Sequence, residues 1–261
     1  MPNTHNPHHN TRLFSAGACL IKPLPPCFPN QELRRAQALR YQVYCLECQF
    51  LSPDDYPDGL ESDAYDATAA HFYAYDEKNE LVGYVRLIRP DTKQRFPFQD
   101  HCHTSTDKAT LPLPGRAGEI SRLMVRHDYR RLRGNPVAGE RRHEALQVML
   151  GLYRQMYAYS RTHGIGYWYA AMERALARSL QRLHFGFNAI GPQTDYYGPV
   201  APYLAHLQTL ESQLGVRDPD LLAWLQQPDQ TRMKNLAYAY REAPDSRPVV
   251  VSVPRHKASN T

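Results

Sequence analysis

Two ionisable residues, Glu119 and Arg122, stand in a run otherwise built for burial, GEISRLMV at 118–125. A carboxylate in an apolar strand is costly unless it is paired or used. The strand period of two puts positions 119 and 122 on opposite faces. A β-bulge between them brings both to one face and frees backbone N–H groups for a ligand. The chemistry on offer is proton abstraction by Glu119 beside a fixed positive charge. The alternative is an internal ion pair with Arg86. That residue lies in GYVRLIRP (83–90), on the strand face of Val82, Tyr84 and Ile88. A lone arginine there calls for an acidic partner or a ligand, unless the strand is an edge that leaves it in solvent.

A third cluster follows at once. VRHDYRRLRGNPVAGERR (125–142) holds Arg126, Arg130, Arg131, Arg133, Arg141 and Arg142, with Gly134 and Gly139. It lies between a strand pattern and a long helix pattern. Free N–H groups and the helix dipole make such a junction an anion site. The alternative is a solvated basic loop. The glycines match no P-loop. Cys45 and Cys48 form C-x-x-C, and His101-Cys102-His103 lies downstream. With no second C-x-x-C, the expectation is cysteines packed as small hydrophobes and no metal site. G-x-S-x-G, H-E-x-x-H and G-x-G-x-x-G are all absent, so hydrolase, zincin and dinucleotide chemistry lack local support.

The elements that must position these residues follow from periodicity. Residues 1–29 read as a Pro-, Asn- and His-rich tail in which only Ala18 to Lys22 suits a strand. Asn30 caps a helix expected to reach about Cys48. Leu51 to Asp66 is a loop rich in acids and prolines. His71 to Tyr75 and Leu81 to Ile88 form a hairpin. Phe96 to Pro114 is irregular, and Ala117 to Val125 is a strand. Val137 to Thr162 is a long amphipathic helix that Gly164 ends. Ile165 to Met172 is a strand, Glu173 to His184 a helix, and two short strands flank Gly191-Pro192. After Pro202 the pattern is helical to about Tyr240. Only Val249 to Val253, in the last twenty residues, suits a further strand. This order predicts an α/β fold, a mixed sheet flanked by helices, in one domain over 30–241 with tails at 1–29 and 242–261.

Composition bounds the rest. The chain has 261 residues, 42% apolar and 22% charged, with no run of 18 apolar residues. It is long enough for a substantial core and has no spanning segment. The start lacks an apolar export signal, and five cysteines are an odd number. Reduced thiols in the cytoplasm are therefore expected. Of 31 basic residues, 25 are Arg, for a net charge of +5. Arginine favours phosphate and carboxylate partners, but arginine-rich codon usage gives the same count.

The motifs taken in order resemble a known group. VRHDYRRLRGN resembles the pyrophosphate loop of GNAT-fold acyltransferases. YWYAAME (167–173) and RLHFGF (182–187) resemble the strand and helix closing the acyl-donor side of that fold. LRYQVYCLECQF (39–50), then Asp63 and Asp66, then GYVRLIRP and GEISRLMV, resemble the acyl-homoserine-lactone synthases and the N-acyl amino acid synthases. With YYGPVAPY (196–203) the chain is similar to acyltransferases associated with the PEP-CTERM/exosortase system.

The resemblance, spanning roughly residues 30–215, implies transfer of a fatty acyl group from acyl carrier protein to an amine. No cofactor is permanently bound. Acyl-phosphopantetheine on the carrier protein is the donor, ahead of acyl-coenzyme A, and neither nucleic acid nor a membrane span is involved. By position Glu119 and Arg122 would be catalytic. Arg40, Tyr44, Phe50, Asp63, Asp66 and Arg86 would bind substrate. Leu123, Met124, Val125, Arg126, Arg130, Arg131, Arg133 and Gly134 would hold the donor. Phe50 replaces the usual tryptophan, and the spacing from it to the acids is longer than usual. Both features favour an amino acid over S-adenosylmethionine as acceptor. A signal synthase using S-adenosylmethionine and a non-catalytic acyl-binding module are the other two readings.

Overall fold

The computed structural model describes residues 29–76, 78–89, 95–105, 111–112, 114–129 and 138–227. Seven strands form one open mixed sheet: β1 (Ala69–Tyr75), β2 (Leu81–Ile88), β3 (Ala117–Val125), β4 (Tyr167–Glu173), β5 (Asn188–Ala189), β6 (Thr194–Asp195) and β7 (Pro199–His206). The order is β1-β2-β3-β4-β7-β5, with β6 also on β7. All neighbours are antiparallel except β3 and β4. The helices are α1 (Pro29–Tyr41), α2 (Phe98–His101), α3 (Ala138–Thr162), α4 (Arg174–Arg182), α5 (Leu207–Arg217) and α6 (Pro219–Gln226). This is the layout of the GNAT fold, as expected.

Every residue of β2 is buried, because both sheet faces are covered. Long α3 packs on one, with Val148, Leu152 and Met156 in the main core beside Phe72, Val85 and Leu87. The contact is close at Gly83, where an added Cβ would lie 2.5 Å from Val148 Cγ1. Helix α1 covers the other face, setting Ala36 and Leu39 against Tyr73, Tyr84 and Met124. Glu32 in its first turn and Arg40 in its last suit the helix dipole.

Three expectations need correction. The first helix is α-helical only to Tyr41, and a wider π turn over Gln42–Glu47 continues it. Nothing marks that turn in the sequence, since no Gly or Pro interrupts it. Its Tyr44 carbonyl accepts N–H groups from Phe50 (2.8 Å) and Leu51 (3.3 Å), and so turns the chain back. The region after Pro202 is not helical from the start. Pro199–His206 is β7, paired with β4 from Tyr167↔His206 to Glu173↔Val200. Pro199 and Pro202 argue against an interior strand, but the two-sided pairing outweighs local propensity. The irregular stretch 96–114 contains the short helix α2, whose Phe98 is fully buried. The suggested strands at 18–22 and 249–253 lie outside the described residues, as does the C-terminal end of the proposed domain.

Candidate active site

Strand β3 is bulged where the site lies. Tyr84 pairs with Met124 and Arg86 with Ser121, so one extra β3 residue is accommodated between them. Arg122 occupies the kink with φ +56°, a left-handed conformation that a non-glycine residue adopts at a cost. The bulge brings Glu119, Ser121 and Arg122 to the face carrying Arg86, as the alternation of types required. Arg86 Nη2 donates to Ser121 Oγ at 3.4 Å.

Three arginines meet three carboxylates there. Arg40 comes from the end of α1, Arg86 from β2 and Arg122 from the bulge. Glu61, Asp63 and Asp66 all come from the loop before β1. Arg40 Nε donates to Glu61, and its Nη1 to Asp66 at 2.6 Å. Arg86 holds Asp63 with two bonds of 2.7 and 2.6 Å and also bonds Asp66. Arg122 reaches Glu61 from Nε at 3.2 Å and from Nη2 at 2.9 Å, and touches Asp63 at 3.3 Å. Glu61 and Arg40 have no exposed surface. Buried charges at this density persist only when matched, and here they balance. Burial works to raise the Asp63 carboxyl, but the Arg86 hydrogen bonds and the three positive charges hold it at about 2. Glu61 is lowered in the same way, its burial opposed by Arg40 and Arg122.

Local structure fixes the acidic loop. Asp63 and Asp66 form a capping box on the turn Ala64–Thr68. His71 Nε2 lies 2.9 Å from the Asp66 carbonyl, and Nδ1 lies 2.7 Å from the Tyr84 hydroxyl. A carbonyl only accepts, so Nε2 carries the proton and Nδ1 accepts from Tyr84. Burial lowers the His71 pKa and keeps the ring neutral.

Glu119 stands apart from this knot. It is 3% exposed, and its carboxyl accepts the Phe98 N–H at 3.1 Å. The alternative ion pair with Arg86 does not form, because Asp63 and Asp66 occupy that guanidinium. Burial pushes the Glu119 pKa up to about 8, against the pull of the Phe98 N–H and the Arg86 and Arg122 charges. Arg86 is interior, not on an edge in solvent.

The sheet opens beside Glu119. Strands β3 and β4 pair only from Ala117↔Tyr167 to Ile120↔Ala170. Among the described residues, Ser121 to Val125 have no ladder partner on the β4 side. Such a splay leaves backbone donors for a ligand. Leu123, Met124 and Val125 lie on this stretch, Met124 buried under α1 and the other two partly buried. Arg126 is engaged by Asp128 at 2.8 and 2.9 Å. Arg130, Arg131, Arg133 and Gly134 lie outside the described residues, as do the side chains of Arg141 and Arg142.

Aromatic residues complete the surround. The Arg122 guanidinium carbon lies 5.1 Å from the Tyr44 ring centroid. Tyr44 faces Phe50 at 6.2 Å, and an open cleft of about 480 Å³ runs along 45–53 beside Phe50. Tyr196, its pKa raised by burial and by Glu119, stacks on His101 at 4.1 Å. Among the described residues no group of three metal-ligating side chains forms, and Cys45 and Cys102 are buried free thiols.

Sequence reasoning missed Glu61, although it bridges two arginines. Its signal was the spacing of acids in ESDAYD (61–66), where Glu61 stands two residues before Asp63.

Comparison with known proteins agrees with this layout. Residues 39–138 match the acetyltransferase (GNAT) domain family. No curated protein sequence matches. Among solved structures, TofI in a ternary complex with an inhibitor and MTA aligns with a TM-score of 0.56 at 16% identity, over 75% of this chain and 95% of that one. BjaI, a CoA-dependent acyl-homoserine lactone synthase with SAM and isopentyl-CoA, gives 0.53 at 19%, over 76% and 92%. The AHL synthase LasI gives 0.52 at 17%, over 72% and 90%. At these identities the likeness is one of fold. Residues 39–138 thus resemble a GNAT acetyltransferase domain, and the chain shares the fold of the acyl-homoserine-lactone synthases.

Proposed function

We propose that the protein is an N-acyltransferase that moves a fatty acyl group from acyl carrier protein to the amine of an amino acid or similar small molecule. The observation that carries this reading is Glu119, buried and with no cation partner among the described residues, next to the point where β3–β4 pairing ends. The overlap with the AHL synthase fold and the kinship of motifs with PEP-CTERM/exosortase-associated acyltransferases support it.

The chemistry balances as follows. The acceptor nitrogen attacks the thioester carbonyl, and a C–N bond forms. Glu119 accepts the nitrogen's proton, directly or through water. The oxyanion accepts N–H groups from the unpaired edge of β3. The C–S bond then breaks, and the thiolate leaves with the bonding pair and takes up a proton. A thiol pKa of about 8.5 makes it a competent leaving group. The arginine–carboxylate knot positions the bulge and Arg122.

A base with a pKa near 8 is ionised only at the upper end of the physiological range. Activity at limiting acceptor is therefore expected to rise with pH and level off above about pH 8. An acceptor amine titrating at about 8 adds to that limb, so the test uses two amines of different pKa. A limb that follows the amine alone removes Glu119 from the base's role.

The donor is argued from charge. Six arginines within residues 126–142 suit the acidic surface of a carrier protein better than the few phosphates of coenzyme A. The double variant Arg130→Glu, Arg131→Glu is expected to raise the Michaelis constant for acyl carrier protein and spare a short acyl-pantetheine. Wild-type behaviour with both donors, or faster turnover of acyl-coenzyme A at equal concentration, assigns the donor otherwise.

Incubation of the protein with acyl carrier protein, acyl-coenzyme A, mixed amino acids and S-adenosylmethionine, read by mass spectrometry, tests the function. An N-acyl amino acid is the expected product. An acylated lactone points to the signal-synthase reading, and no product at all to a binding module.

A further inference from the structure

We infer that the acceptor is an α-amino acid with an uncharged, largely apolar side chain, its carboxylate held by Arg122 and its side chain lodged in the cleft beside Phe50. This deepens the acyltransfer reading and rests on it.

Arg122 carries the first part. Glu61 and Asp63 occupy its Nε and Nη2. Its Nη1 donates to none of the described residues, and the side chain is 14% exposed. The other two arginines offer no such edge. Arg40 is 0% and Arg86 1% exposed, and the nitrogens that lack a hydrogen-bond partner among the described residues, Arg40 Nη2 (4.0 Å from Asp63) and Arg86 Nε, are sealed inside. Arg122 is thus the one member of the knot with a guanidinium edge turned outward. Glu61 and the Tyr44 ring hold that edge still. A fixed, planar donor of this kind selects a carboxylate. Glu119 shares the β3 face with Arg122, so a carboxylate on Arg122 leaves the adjacent α-amine on the side of the base.

The cleft carries the second part. Tyr44 links it to Arg122, with its ring against both the guanidinium and Phe50. Cys45, Leu46, Phe50, Leu51 and Pro53 line it, and the two polar lining residues, Gln49 and Ser52, carry no charge. A volume of about 480 Å³ is ample for a side chain. A charged side chain there would gain no counter-charge from the wall. The nearby acids Glu61, Asp63 and Asp66 are already committed to arginines.

The full chain is offered phenylalanine, leucine, glycine, lysine, aspartate, S-adenosylmethionine and phenethylamine singly. Dodecanoyl-acyl carrier protein and dodecanoyl-coenzyme A serve as donors in separate reactions, and products are quantified by mass spectrometry. Phenylalanine and leucine are expected to exceed glycine, lysine and aspartate in kcat/KM by at least ~10-fold, a modest pocket effect. Phenethylamine, which lacks the carboxylate, is expected to fall at least ~10-fold below phenylalanine. Phe50→Ala, at an exposed position that tolerates change, is expected to narrow the ratio of phenylalanine to glycine. Acylation without side-chain preference, preference for lysine or S-adenosylmethionine, or equal use of phenethylamine overturns this inference and leaves acyl transfer standing. No acylated amine with either donor overturns the acyltransfer reading and this inference with it.

Discussion

Glu119→Gln is expected to lower turnover at least ~100-fold, the low end for removal of a general base, while the fold persists. Gln matches the shape of the carboxyl and can still accept the Phe98 N–H. The fold is expected to be no less stable. In the folded state Glu119 titrates near 8, whereas its ordinary value is 4.5. Between those values the folded protein binds the extra proton, so its stability falls as pH rises. The variant has no such slope from this position, and its urea midpoint is expected to match or exceed wild type above pH 8. Rates within a few-fold of wild type would leave Glu119 without a catalytic role. Loss of folding would show that the carboxyl is needed for structure instead.

Glu61→Gln is expected to have the largest effect on stability, about 3–5 kcal/mol, as breaking a buried ion pair by removing one partner does. Glu61 has no exposed surface and accepts from both Arg40 and Arg122. The neutral amide would leave three buried or half-buried guanidinium groups facing two carboxylates. Asp66 and Asp63 already serve Arg86 and cannot make up the difference. Chemical unfolding of both proteins at neutral pH reads the effect directly. A loss below about 1 kcal/mol, the range of exposed pairs, would mean that the knot is hydrated and does not fix the bulge. The same carboxylates predict acid sensitivity. Asp63 is depressed to about 2 from 3.8, so its contribution is present above the higher value and lost as pH falls toward the lower one.

The fold was legible where one physical signal dominated. Strands β2 and β3 and the long helix α3 follow from runs of apolar residues with the right period, and β3 was bounded to the residue. The bulge was legible for a subtler reason. Glu119 and Arg122 are of a kind that belongs on one face, while their spacing puts them on two. What escaped depended on partners distant in sequence. Strand β7 carries Pro199 and Pro202 and forms because β4 and β5 lie on either side of it. The π turn at 42–47 depends on the Tyr44 carbonyl capturing N–H groups beyond it.

The site divides the same way. Arg40, Arg86, Arg122, Asp63 and Asp66 do converge; Arg86 and Arg122 stood out as arginines in apolar runs, whereas Arg40, Asp63 and Asp66 were implied only by the family resemblance. Their pairing was not readable. An ion pair of Arg86 with Glu119 was one of two alternatives, but Asp63 and Asp66 bind Arg86 instead, and no described residue gives Glu119 a cation partner. Glu61 looked like one more acid in a loop. Only the approach of α1 to β3 shows that it bridges Arg40 and Arg122.

The proposed chemistry turns on a carboxyl that stays protonated until the pH approaches 8, and carbon-13 NMR of side-chain carboxyls observes that directly. Protein labelled at the glutamate carboxyl carbon is titrated from pH 3 to pH 10 alongside Glu119→Gln, and the resonance missing from the variant is followed. An inflection near 8 is predicted from the burial of Glu119 beside the splayed edge of β3. An inflection near the ordinary glutamate value of 4.5 would show a carboxylate already ionised at neutral pH, and would contradict the account of Glu119 as a base held in reserve by burial.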